Sequence, residues 1–194
     1  RGAPGPAGVG VVGSREPVGE HTGALAKALG KPVDEIVVSV LNRPRHEQLI
    51  ADIRASGAGT RLMSDGDVAG GINAARHNAR TDMCIGVGGS PEGIVTACAI
   101  KALGGHIQGR MWPRDDAERQ RGIDAGLKMD YVYEADELVK GNNTIFVATG
   151  VTDGQLVSGV RRAGDWLYTE SVVLRGASGT LRRISSEHLT SKWL

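Results

Sequence analysis

The stretch CIGVGGSPEGIVTACAIKALG, Cys84 to Gly104, decides the fold: an apolar run, a glycine-rich turn, a single carboxylate and then a helix-like pattern. The run Met83 to Val87 reads as a strand. Ser90 can cap and Pro91 can open a helix that runs to about Leu103 and stops at Gly104-Gly105. The same alternation extends both ways along the chain. Further strands are expected at Ile36 to Leu41, Arg61 to Ser64, Ile107 to Trp112 and Thr144 to Ala148. Helices are expected over residues 44 to 56, from near Val68, and from Arg114 to Ala125, the last a charged face with Asp115 and Asp116 in its first turn. This alternation predicts an α/β layer with a largely parallel sheet. Further on, SVVLRGASGTLRRIS is two β-like runs about a Gly/Ser turn and reads as a hairpin, so the sheet structure as a whole is expected to be mixed. Residues 1–15, rich in Gly and Pro, read as a linker or the remnant of an upstream lobe, and residues 16–194 as one α/β lobe.

Composition narrows the function classes. A chain of 194 residues with 40% hydrophobic content can bury one core. Net charge is +1 with both signs interspersed, so no uniform basic face is implied and nucleic acid is not an expected partner. Cys84 and Cys98 sit in apolar stretches, which favours buried reduced thiols and a cytoplasmic setting over a disulfide framework. No apolar stretch is long enough to span a bilayer, and RGAPGPAGVG lacks the features of a secretory signal, so no membrane partner is expected.

In open α/β sheets ligands bind beyond the carboxyl ends of the strands, and the informative residues cluster there. NRPRH follows the first expected strand. Pro44 biases Arg43 towards an extended conformation, in which residues i and i+2 point the same way, so Arg43 and Arg45 can aim two guanidinium forks at one phosphate. SDGDVAGG follows the second; one of Asp65 and Asp67 can cap a helix, and the other can accept from sugar hydroxyls or approach a cation. The third strand leads into the opening stretch. Glu92, at the second helical position, complements the positive helix end, yet the free N–H groups and glycines there also form an anion site. A carboxylate beside a phosphate repels it unless a divalent cation lies between them, so Glu92 is read as a metal ligand in a site that also holds phosphate.

Other motifs fail on context. GVGVVG, Gly8 to Gly13, matches the dinucleotide fingerprint by letter, but no strand is expected before it and no helix on its last glycine. HEQLI begins like a zinc-protease helix but has Ile50 where the second His belongs. His21, His77, His106 and His188 show no ligand spacing.

Taken in order, NRPRHEQLI, SDGDVAGGI, GVGGSPEG, PRDDAERQRGIDAG and ATGVTDG resemble the C-terminal half of the class II fructose-1,6-bisphosphatases over roughly Glu16 to Trp193. The resemblance implies a layered sugar-phosphatase fold related to inositol monophosphatases, and hydrolysis of the 1-phosphate of fructose 1,6-bisphosphate with Mn2+ or Mg2+ in gluconeogenesis. It further implies substrate contacts at Arg43, Pro44, Arg45, Asp65, Gly66, Asp67 and Gly89, a metal ligand at Glu92, and a homo-oligomer. A dual enzyme that also accepts sedoheptulose 1,7-bisphosphate fits the same motifs. The family's remaining metal ligands lie in a G-E-G-E turn and a D-P-x-D-G-T stretch, neither of which occurs here. Arg1 is therefore expected to mark a cut or a truncated gene product, and a sugar-phosphate-binding lobe without catalysis is a further reading of this chain.

Overall fold

The computed structural model describes residues 9–12 and 17–192. In chain order these form β1 (Val9–Val12), α1 (Val18–Leu29), β2 (Val37–Leu41), α2 (Glu47–Ala55), β3 (Gly59–Met63), α3 (Asp67–Ala74), β4 (Met83–Ile85), α4 (Ser90–Ala102) and β5 (His106–Arg110). There follow α5 (Asp116–Asp124), β6 (Val132–Glu134), α6 (Ala135–Leu138), β7 (Ile145–Thr149), β8 (Arg161–Ala163), β9 (Trp166–Arg175) and β10 (Thr180–Leu189). One sheet has the order β3-β2-β4-β1-β5-β6, parallel except for β6; the other has β10-β9-β7 with β8 also on β9, all antiparallel.

Alternation along the parallel strands sorts side chains onto two faces. Val38, Val40, Met83 and Ile85 join Leu25 and Ala26 of α1 and Ile50 and Ile53 of α2 in one core cluster. Ile107 packs on the opposite side with Ala97 and Ile100 of α4. The far flank of α4, Ala99 and Ala102, meets Phe146, Val172 and Leu174 of the antiparallel sheet. The layers thus run helices, parallel sheet, helices, antiparallel sheet. Small side chains suit a helix shared by two sheets, and α3 comes equally close: a Cβ on Gly71 would meet Thr96 Cγ2 at 2.6 Å. The charged α5 buries no residue and is capped by Asp115, whose carboxylate accepts from the Glu118 amide at 2.7 Å. Among the described residues no helix is long and apolar enough to cross a membrane.

The expected alternation and hairpin are present, with three differences. Residues 144–148 form most of β7, which pairs with β9 in the antiparallel sheet rather than joining the parallel one. Val9–Val12, within the stretch read as a linker or remnant, pair in parallel with both β4 and β5. Gly10 of the fingerprint-like GVGVVG therefore lies within a strand rather than in a phosphate-binding turn; Gly8 and Gly13 fall outside the described residues. Ser90 is the first residue of α4, not its cap, because Gly89 takes the extended cap conformation (φ −71°, ψ 146°); Glu92 is accordingly the third helical residue. The cysteines are free and half-buried.

Candidate functional site

Three strand ends and one helix start meet at the carboxyl edge of the parallel sheet. At β2 the chain leaves through Asn42 and an extended Arg43, and Pro44–His46 then close a 3-10 turn. That turn overturns the extended i, i+2 geometry expected for the arginines: Pro44 fixes φ but permits helical ψ, so the chain folds from Pro44 onward. Arg43 donates to the Asn42 carbonyl at 3.2 Å, whereas Arg45 Nε reaches across to the Val87 carbonyl at 2.8 Å. At β3 the turn passes through Gly66, whose φ of 78° is the left-handed region glycine favours, and α3 starts at Asp67. Asp65 stays exposed, and the Asp67 carboxylate accepts from the Val68 amide at 2.9 Å.

At β4 the loop Gly86 to Gly89 leads into α4. Pro91 lacks an N–H, so the free amides at this helix start are those of Gly89, Ser90 and Glu92. Both carboxylates close on the same turn. A Cβ at Gly88 would lie 2.8 Å from Asp67 Oδ2, and one at Gly89 would collide with Glu92 Oε2. Asp67, Gly88, Gly89 and Glu92 line one cleft, with His46 and Cys84 in its wall. A second, wider groove shares Gly88 and Gly89 and continues past Arg45, Arg110, Trp112 and Tyr133. Of the residues singled out in the sequence, Asp67, Gly89 and Glu92 are thus brought together and Arg45 stands on the adjoining groove. Arg43, Pro44, Asp65 and Gly66 line neither space.

The sequence offers His46 only as the first residue of the rejected HEQLI motif, although it also sits inside NRPRH. It is 1% exposed, its Nδ1 lies 2.9 Å from the Leu41 carbonyl, and its Nε2 accepts from the Val87 amide at 2.8 Å. Those partners require the neutral ring with its proton on Nδ1. The ring fills the space beside Gly86, where a Cβ would stand 3.2 Å from His46 Cε1. The available signal was position: a histidine one residue past an arginine pair at a strand end.

The chemistry open to this cleft is limited. Burial pushes the Cys84 thiol up, an effect the Ser39 hydroxyl opposes and the Asp67 carboxylate reinforces, so the thiol is protonated and a poor nucleophile. Among the described residues no three His, Cys, Asp or Glu side chains stand together to hold a metal ion. Glu92 has no hydrogen-bond partner for its carboxylate among those residues and lies exposed at the cleft. A hard oxygen donor so placed fits one position of a divalent cation's coordination sphere.

A glycine turn opening a helix at the carboxyl ends of parallel strands, flanked by carboxylates and an arginine, marks an α/β protein with its candidate site at the strand-end crevice. The chain belongs to the family described as bacterial fructose-1,6-bisphosphatase, glpX-encoded, whose sequence profile matches residues 3–188. It is 36% identical over 192 residues to the fructose-1,6-bisphosphatase class 2 of Haemophilus influenzae, covering 92% of this chain and 58% of that protein. Identity to the fructose-1,6-bisphosphatase 1 class 2 of Escherichia coli K12 is also 36%, over 197 residues, covering 95% of this chain and 59% of that protein. The chain therefore spans under three fifths of the length of these relatives. A solved sugar N-methyltransferase from a Streptoalloteichus species superposes at a TM-score of 0.30 and 15% identity, over 95% of this chain and 65% of that one, too weak a likeness to define the fold.

Proposed function

We propose that residues 16–194 form the C-terminal sugar-phosphate-binding lobe of a metal-dependent phosphatase that hydrolyses the 1-phosphate of fructose 1,6-bisphosphate, giving fructose 6-phosphate and phosphate. The observation that carries this reading is the convergence of Asp67 and Glu92 on the Gly88–Gly89 turn, in a chain whose family match extends over nearly all its length. Glu92 supplies one oxygen ligand to a divalent cation, Mn2+ or Mg2+, which when bound neutralises phosphoryl charge and acidifies water. The amides at the start of α4 hydrogen-bond the phosphoryl oxygens. Arg45 orients the substrate through charge-assisted bonds while its own position is fixed by the Val87 carbonyl. Asp67 accepts from sugar hydroxyls, and Gly89 lets the substrate approach the backbone. Arg43, Pro44, Asp65 and Gly66, substrate contacts by family resemblance, line neither the cleft nor the groove; Gly66 acts by setting the turn that presents Asp67. The other metal ligands come from outside the described residues.

The test is phosphate release from fructose 1,6-bisphosphate by the complete natural polypeptide, with and without Mn2+ or Mg2+. Metal-dependent release at the 1-position supports the reading; no release with either ion overturns it. Parallel assay of sedoheptulose 1,7-bisphosphate separates a single-substrate enzyme from a dual one.

A further inference from the structure

We infer that Arg110, together with Arg45, grips the phosphate remote from the one hydrolysed, and thereby selects sugar bisphosphates over monophosphates. The inference rests on the phosphatase reading above and names a residue that the sequence offered only as part of a strand.

Arg110 is the last residue of β5. The register sets Gln108 level with Val11 and Val11 level with Ile85, so Arg110 stands level with Val87, two strands from the glycine turn. At the usual strand spacing that is about 10 Å. Arg45, Gly89 and Arg110 line one groove, and Gly89 also lines the cleft where Glu92 and Asp67 meet. A ligand with its reacting end at Glu92 thus has its other end beside Arg110.

The charges in the groove are unbalanced. Its one carboxylate among the described residues, Glu118, is taken by Arg114, whose Nε and terminal nitrogen reach it at 3.1 and 3.3 Å. Arg45 uses only Nε, on a carbonyl. Arg110 Nε is shut off from solvent yet has no hydrogen-bond partner among the described residues. Its guanidinium carbon lies 5.1 Å from the ring centroid of Trp112, a contact that fixes the plane of the fork and adds no negative charge. No carboxylate among the described residues pairs with Arg110, so an anion lying in the groove would neutralise its charge. Two such cations along one groove match a phosphoryl group, which planar forks bind in bidentate fashion.

The experiment compares kcat/KM for fructose 1,6-bisphosphate with kcat/KM for fructose 1-phosphate, in the complete polypeptide. In Arg110→Gln the bisphosphate preference is expected to fall by about 10- to 100-fold, the range for losing a charged hydrogen-bond pair. Arg110→Lys keeps the charge without the fork and is expected to fall between the two. Arg114→Gln, whose cation is already spent on Glu118, is expected to keep the preference. Equal loss on both substrates in Arg110→Gln, a preference unchanged in Arg110→Lys, or an equal drop in Arg114→Gln overturns the assignment. Should Arg110→Gln fail to fold by circular dichroism, Arg110→Lys carries the decision. Absence of wild-type hydrolysis of the bisphosphate instead removes the phosphatase reading on which the inference stands.

Discussion

A residue held at both its N–H and its C=O has neither of its flanking peptides free to turn. Val87 is held in this way, by His46 Nε2 on one side and Arg45 Nε on the other, each at 2.8 Å, and the glycines that follow inherit its orientation. Removing the His46 ring strands the Val87 amide and the Leu41 carbonyl in a buried space, at about 1–3 kcal/mol for each unsatisfied group. His46→Ala is therefore expected to lose about 3 kcal/mol of stability, read as a lower urea midpoint at unchanged m-value. A midpoint equal to wild type would show that the clamp is idle. Two kinetic predictions belong to the same scale. Glu92→Ala in the complete polypeptide is expected to lose most of kcat, since of the cleft's two carboxylates Asp67 accepts from the Val68 amide whereas Glu92 has no hydrogen-bond partner among the described residues; near-normal turnover at saturating metal defeats the assignment. Arg45→Ala is expected to act mainly through KM, raised about tenfold or more for one charged hydrogen-bonding partner, and an unchanged KM would count against it. Residue type and charge balance alone singled out Glu92 and Arg45 from the sequence. His46 stayed hidden because its work depends on a carbonyl five residues back and an amide 41 residues on, contacts that exist only once β2 and β4 lie side by side.

Among the elements, the segment between β7 and β8 shows how a loop is kept in place. Leu156 is buried in the core beneath the antiparallel sheet, and Arg183 of β10 holds its carbonyl at 2.9 Å. Glu170 of β9 accepts from the Ser158 amide at 2.6 Å and pairs with Arg183 at 2.8 Å. The Ser158 backbone and side-chain hydrogen bonds, with Arg183 adding to them, hold the Glu170 carboxyl at about 2, against an ordinary 4.5. A carboxyl depressed in the folded state stabilises it above its unfolded pKa and loses that contribution as pH falls through the folded one. The melting-temperature gap between wild type and Glu170→Gln is thus expected to be constant above about pH 5 and to close as pH approaches about 2. A gap independent of pH would mean the carboxylate is not what pins the loop. Legibility was uneven at this scale. The βα units could be read because each strand run ends in turn residues and α3 and α4 open at Gly66-Asp67 and Gly89-Ser90-Pro91. The membership of β7 could not, since an apolar pentamer reads the same in either sheet and only the pairing of Ile145 with Arg175 decides it. The 3-10 turn at Pro44–His46 was equally illegible, because proline sets φ and leaves ψ to its surroundings.

For the whole molecule the deciding feature is that one helix serves both sheets. Along α4, Ala97 and Ile100 pack with Ile107 of the parallel sheet, while Ala99 and Ala102 pack with Phe146, Val172 and Leu174 of the antiparallel one. The same helix presents Glu92 at its N-terminus, so losing either sheet would unseat the candidate metal ligand. A helix sandwiched in this way cannot shed one partner without exposing fully buried side chains, among them Ile100 and Val172, each 0% exposed. The sheets should then unfold as one cooperative unit despite their separate hydrogen-bond networks. Two tryptophans allow this to be measured: Trp112 follows β5 of the parallel sheet and Trp166 opens β9 of the antiparallel one. With Trp193 replaced by Phe, variants retaining only Trp112 or only Trp166 are expected to give urea transitions that coincide in midpoint and slope with each other and with circular dichroism. Adding Val172→Ala, some way from the glycine turn, should lower both midpoints together, by an amount near 1–3 kcal/mol for trimming a fully buried side chain. If the Trp166 signal moves first and the Trp112 signal stays behind, α4 does not couple the sheets, and the candidate site rests on the parallel sheet alone.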